Sequence, residues 1–232
     1  MVVSILANQP NGPIFVRLAV AKDDGLGGFE TTPWSNVLTD TVSQLAASTL
    51  DPVAGVGRYQ FISLSNGDLT ARNDLVNVGA IAGARTTNSR TGKFYFEADL
   101  SENASAGWGI GVCTSAQDMS DFNLDGTPAQ RALWRDNGSL TRPNNTSQNY
   151  GGQWALNELR HIAWDEATGL MWVGTDGTWH NGDPVAGTGG DAIPAGALHA
   201  FVALTPRNTG QTTLTLDPSA DTHLPTGFTV FT

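Results

Sequence analysis

Cys113 is the only cysteine among 232 residues, so no disulfide can close within the chain and a disulfide-stapled scaffold is excluded. It stands beside Val112 in an apolar strand pattern and reads as a small buried hydrophobe, not a reactive thiol. Charge is also scarce. Charged residues make up 15%, against roughly a quarter in ordinary chains. Lys and Arg number 12 against 22 Asp and Glu, a net charge of −10 that repels phosphate backbones and argues against a nucleic-acid partner. No apolar run approaches membrane-spanning length, which argues against membrane insertion. The opening Met1–Ala7 lacks a basic segment, and its apolar run stops at Asn8-Gln9-Pro10, so no signal peptide is expected and the chain reads as made in a cytoplasm, which fits a virion component released by lysis as well as a cytosolic protein.

The usual reaction signatures are missing too. There is no G-x-S-x-G elbow and no G-x-x-x-x-G-K-[ST] phosphate loop. The histidines His161, His180, His199 and His223 are scattered, with no Cys or His at zinc-ligand spacing. Long helical periodicity is nearly absent, leaving only Leu38, Val42, Leu45 and Ala46 on one face of a short predicted helix.

What the chain does have is turn chemistry and alternation. It carries 27 glycines and 11 prolines, with recurrent Asn-Gly, Asp-Gly and Thr-Gly steps, and its 40% hydrophobic content suffices for a sizeable core. Ile14–Val20 reads as a strand. Phe94, Phe96, Ala98 and Leu100 share one strand face, and Tyr95, Glu97 and Asp99 share the other, which reads as solvent-facing. Trp108, Ile110 and Val112 alternate with Gly109, Gly111 and Cys113, leaving a bare face that a neighbour can approach closely. Ile162–Trp164 and Leu170–Val173 flank Asp165–Gly169 as a hairpin, and Thr175–Thr178 forms a second turn. Ala200–Leu204 and Thr212–Leu216 are late strands. Short strands at regular turn spacing predict an all-β fold, an antiparallel β-sandwich or jelly roll.

Three constellations bear on chemistry. Asp121-Phe122-Asn123-Leu124-Asp125-Gly126 opens like a calcium loop, with three oxygens at alternate positions. Its twelfth position is Ala132 rather than a glutamate, which excludes an EF-hand and leaves either a looser calcium site on Asp121, Asn123 and Asp125 or a plain Asx turn. Glu97 and Asp99 on one face are the candidate carboxylate pair of a glycosidase. Trp108 and Trp164 fit core positions, whereas Trp134, Trp154 and Trp179 stand in polar, loop-like surroundings where an exposed indole can stack on a sugar or anchor a protein. With Arg135 and Tyr150 they form the candidate ligand-binding set, most of it within the irregular Asp118–Asn157 segment.

The order Thr49-Leu50-Asp51-Pro52, Ile62–Ala71, Gly83–Arg90, Gly92–Glu97, Gly107–Val112, His161–Val173 and Leu224–Phe228 resembles the SPRY-type, concanavalin-like domains of bacteriophage and prophage virion proteins. The resemblance spans residues 49–232 and leaves 1–48 as an N-terminal arm. It departs from the family at Asp176–Gly182, near the usual lysine-asparagine-glycine turn, and at Leu216-Asp217-Pro218. It implies a non-enzymatic binding sandwich without cofactor, part of a virion as a fibre, spike or head-decoration subunit. The implied partners are other virion proteins through the arm, copies of itself in a homo-oligomer, and a cell-surface glycan. Two other readings stay open: a carbohydrate-active enzyme on the same sandwich, and a cytosolic protein-interaction module.

Overall fold

The computed structural model describes residues 48–74, 82–100, 109–119, 128–204, 213–216 and 222–231, together with four short strands nearer the N-terminus. The chain divides into two units, Met1–Ala47 and Ser48–Thr232. In the first, β1 (Val2–Ile5) pairs antiparallel with β2 (Val16–Ala19), and β3 (Ala21–Asp23) with β4 (Phe29–Thr31). The Ile14–Val20 strand is thus present as Val16–Ala19. The predicted helix at Leu38–Ala46 lies outside the described residues, as do Trp108 and the calcium-type loop residues Asp121, Asn123 and Asp125.

The second unit is a two-sheet sandwich. Its strands in chain order are β5 (Ile62–Ser65), β6 (Thr70–Asn73), β7 (Ala82–Arg85), β8 (Lys93–Leu100), β9 (Gly109–Cys113), β10 (Arg131–Arg135), β11 (Ser139–Thr141), β12 (Ser147–Asn149), β13 (Leu159–Asp165), β14 (Leu170–Thr175), β15 (Thr178–Trp179), β16 (Gly182–Asp183), β17 (Thr188–Gly189), β18 (Asp191–Ala192), β19 (His199–Leu204), β20 (Thr213–Leu216) and β21 (Thr229–Val230). One sheet has the order β12-β11-β10-β9-β19-β7, and the other β15-β14-β13-β8-β20-β6-β5, with β18 added on β14 and β21 on β8. All pairings are antiparallel except β21 with β8. Among the described residues no helix is long and apolar enough to cross a membrane.

Period-two alternation builds the core between the sheets. Phe96, Ala98 and Leu100 of β8, Ile162 and Trp164 of β13, and Met171 and Val173 of β14 face Ile110 and Val112 of β9 and Ala200, Val202 and Leu204 of β19. The bare side of β9 is filled from within its own sheet. Phe201, directly across from Gly111, lies 2.9 Å from where a Cβ would sit, and the Ala132 carbonyl only 2.1 Å. Cys113 is buried on that side, and burial pushes its thiol pKa up to about 12, so it acts as packing. The β14–β15 link is a two-residue turn, Asp176-Gly177, with both φ angles positive, which suits the right-handed twist of a hairpin.

The expectation that Tyr95 and Glu97 face solvent is corrected: both are buried. Alternation assigns them to a common face but is silent about what covers it. The cover is the chain's own C-terminal segment. Phe228 packs edge-on against Trp172, in a cluster with Tyr95 and Ala163. The Phe231 amide donates to the Tyr95 carbonyl at 2.7 Å. Phe96→Ala should therefore cost about 3–5 kcal/mol, and Tyr95→Ala a loss of the same order, because each removes a fully enclosed ring. Denaturant titrations of the two variants check this; a near-neutral Tyr95→Ala would contradict the covered face.

Candidate functional site

Of the five candidate ligand residues, four gather at one end of the sandwich, around a residue that sequence reasoning passed over. Arg160 lies on the core-facing side of β13, in line with Ile162 and Trp164, and is buried. Its guanidinium stacks over Trp134 of β10 at 4.2 Å and over Trp154 at 4.9 Å. Nη1 donates to the Arg135 carbonyl at 2.8 Å, and Nη2 to the Gly152 carbonyl at 3.0 Å and the Asp136 carbonyl at 3.3 Å. Nε faces the Glu158 carboxylate at 3.3 Å. Burial lowers the guanidinium pKa to about 10, with Glu158 and Asp136 opposing the shift, so the group stays charged at neutral pH.

This arrangement corrects the reading of Trp134 and Trp154 as exposed platforms. Both are buried, and both indole N–H groups are spent on backbone: Trp134 on the Gly138 and Tyr150 carbonyls, Trp154 on the Glu158 carbonyl at 2.6 Å. Neither presents a face for a sugar. Arg135 and Tyr150 are half-buried. The Tyr150 phenol is raised by burial and then by the Asp191 carboxylate to which it hydrogen-bonds. Asp191 in turn holds the Arg142 Nε and accepts from Asn181 at 2.8 Å, tying the end of β11 to β14. Trp179 stands apart on the outer face of the larger sheet, half-buried and edge-on to His161 at 4.5 Å. The carboxylate of Glu97 is enclosed and accepts from Tyr95 and His223, so the Glu97–Asp99 pair opens onto no sugar cleft. Among the described residues no group of three His, Cys, Asp or Glu side chains is placed to hold a metal ion.

What the surface does offer is apolar. Among the described residues Val53 is 53% exposed, Val56 57% and Phe61 40%, all three on the loop that enters β5. The loop is pinned rather than loose. The Asp51 carboxylate accepts from the Val53 amide at 2.8 Å, Arg58 Nε donates to the Pro52 carbonyl at 2.6 Å, and Arg58 Nη1 to the Ile62 carbonyl. The Tyr59 amide donates to Gly83 of β7, and the Gly57 carbonyl accepts from Arg85, both at 2.8 Å. Phe61 packs on Tyr59 with ring centroids 5.5 Å apart. The sequence signal for this surface is the apolar Val53, Ala54 and Val56 set between Pro52 and Gly57, a turn-rich context in which no strand can bury them.

The sandwich is similar to solved SPRY structures. It matches the SPRY domain of human HERC1 with 15% identity and a TM-score of 0.54, covering 72% of this chain and 96% of that one. A further human SPRY domain matches at 12% identity and TM-score 0.51, over 70% of this chain and 98% of that one. The stonustoxin structure matches at 14% identity and TM-score 0.52, over 74% of this chain but only 27% of the toxin chain. No protein-family model and no curated protein matches the chain. The architecture is thus an all-β, mostly antiparallel SPRY/concanavalin-like sandwich.

Replacing Arg160 with Met should destabilise the fold by about 3–5 kcal/mol, because the carbonyls of Arg135, Asp136 and Gly152 and the Glu158 carboxylate lose a buried partner. Arg160→Lys should recover only part of this, since one ammonium cannot fork to three carbonyls while stacking on two indoles. Chemical denaturation of both variants gives the comparison; equal stability of the Lys variant and the parent would refute the fork.

Proposed function

We propose that this sandwich is a non-catalytic protein-recognition module that meets its partner through the Pro52–Phe61 loop. The observation that carries the reading is the clustering of Val53, Val56 and Phe61 on one pinned loop. Isolated exposed apolar side chains need no explanation, but three on a single rigid loop form a contact anchor, and pinning reduces the ordering cost of binding. The likeness to SPRY domains supports a binding role on this architecture. The finer assignment is a virion fibre, spike or head-decoration subunit, homo-oligomeric and attached to other virion proteins by residues 1–48. It rests on the sequence resemblance alone, and cofractionation of the chain with particles tests it. A glycan ligand has weaker support, since Trp134 and Trp154 keep their faces inside. Of the original ligand set, Arg135, Tyr150 and Trp179 remain for it.

Val56→Asp and Phe61→Asp each place a charge on the exposed loop away from the main core. Each should weaken binding of the protein's physiological partner, and the pair combined by at least a hundredfold, while the melting temperature changes little. Titration calorimetry alongside a thermal melt measures both. Full binding by the double variant would remove the loop from the interface, and retained glycan-array signal by that variant would favour the sugar-reading alternative.

A further inference from the structure

The outer face of the larger sheet holds a buried base that lacks any hydrogen bond. His161 is fully buried, and neither its Nδ1 nor its Nε2 has a hydrogen-bond partner. Nε2 overhangs Gly174 of β14, where a Cβ would sit only 2.1 Å away, on the side of β13 away from β8 and Glu97. The groups facing the ring come from every neighbouring element. Trp179 of β15 stands edge-on at 4.5 Å, and Tyr95 of β8 is tilted at 6.0 Å. His223 of the C-terminal segment lies 5.5 Å away between ring centroids, and His180 adds further positive potential. Among the described residues the carboxylate directly across the strand pair, Glu97, is committed to the same C-terminal segment. Its Oε1 accepts from the His223 amide at 2.9 Å, lies 3.3 Å from His223 Nδ1, and accepts from the Tyr95 hydroxyl.

We propose that residues 223–228 form an acid-released strap: protonation of His161 detaches them from the outer face and uncovers the apolar patch of Tyr95, Ala163 and Trp172. Protonating His161 places a positive charge under cover beside His223 and His180, on a ring whose nitrogens make no hydrogen bond. The relief available is solvation of His161, which requires the strap and Trp179 to lift. Burial, then the charges of His223 and His180, lower the His161 pKa to about 3 in the closed form. In the open form it returns to about 6.5. Because the closed-state pKa is depressed, the open form binds more protons between those values. Closure is therefore fully favoured above about pH 6.5 and loses about tenfold per pH unit below it, until pH approaches 3. β21 and Phe231 stay seated, since Phe231 packs against Trp164 and Phe94 in the core.

Hydrogen exchange of the full chain, corrected for the chemical rate at each pH, tests the strap. Between pH 7.5 and 5 the amide of His223, which donates across to Glu97, should lose about thirtyfold in protection, while amides of β13 and β14 hold theirs. His161→Gln, which cannot take up a proton, should leave strap protection flat over that range. Strap protection that tracks the rest of the sheet would overturn the proposal. So would acid release that persists in His161→Gln, which would assign it to another group or to general acid softening. Should that variant fail to fold, imidazole NMR of the parent chain decides: a His161 still neutral at pH 5 in the closed form supports the strap, and one titrating near 6.5 sinks it.

Discussion

The contact on which one end of the sandwich depends is the Arg160 guanidinium between two indoles. A charge at that depth is costly unless every N–H finds an acceptor. Here the acceptors are carbonyls of residues 135, 136 and 152, which belong to the far sheet and to the loop beyond β12, while Arg160 itself belongs to β13. The cation therefore fixes the distance between the sheets and the course of the chain from β10 to β13. Trp134 and Trp154 exclude water from the fork while their ring faces partly replace it. The polar segment between them needs little apolar burial of its own, because both its ends are held by this one group.

The same arrangement explains what the sequence conveyed and what it withheld. The alternation in β8, β9, β13 and β14 and the turn residues Gly169, Asp176 and Gly177 report local geometry, and these elements were legible. The surroundings of Trp134 in the sequence are polar because its neighbours there belong to turns and to the opposite strand face. Its surroundings in space are set by Arg160, some 26 positions away. A signal was nonetheless present. Arg160 has the same parity as Ile162 and Trp164, so a cation stands on an apolar strand face, and such a cation must recruit acceptors and aromatic rings from elsewhere. Glu97 is a second case. Parity placed it opposite the core, but only the path of residues 222–231 makes that opposite face an interior.

The larger sheet is consequently covered on both sides over β8, β13 and β14, by two different kinds of material. The inner cover is a full sheet with a continuous apolar layer. The outer cover is Trp179 of β15 together with a short crossing segment whose apolar contact is chiefly Phe228 and whose polar contact is chiefly Glu97 with His223. A cover held by a short segment of this kind is suited to local opening. A buried histidine with idle nitrogens beneath it ties that opening to proton concentration, whereas the buried Arg160 on the inner side carries its charge at all physiological pH and provides no such dependence.

Rigid and openable surfaces thus occupy different places in the molecule. The Pro52–Phe61 loop keeps exposed valines and a phenylalanine because its backbone is fastened to β7 by Gly57 and Tyr59 and to itself by Arg58, so it cannot fold its apolar side chains inward. β7 would otherwise be an open edge of its sheet, and the loop that presents the apolar side chains is also the element that covers that edge. Edge protection and apolar display are then consequences of a single constraint. The backbone hydrogen bonds that hold residues 57–59 against β7 also keep the preceding Val53 and Val56 at the surface.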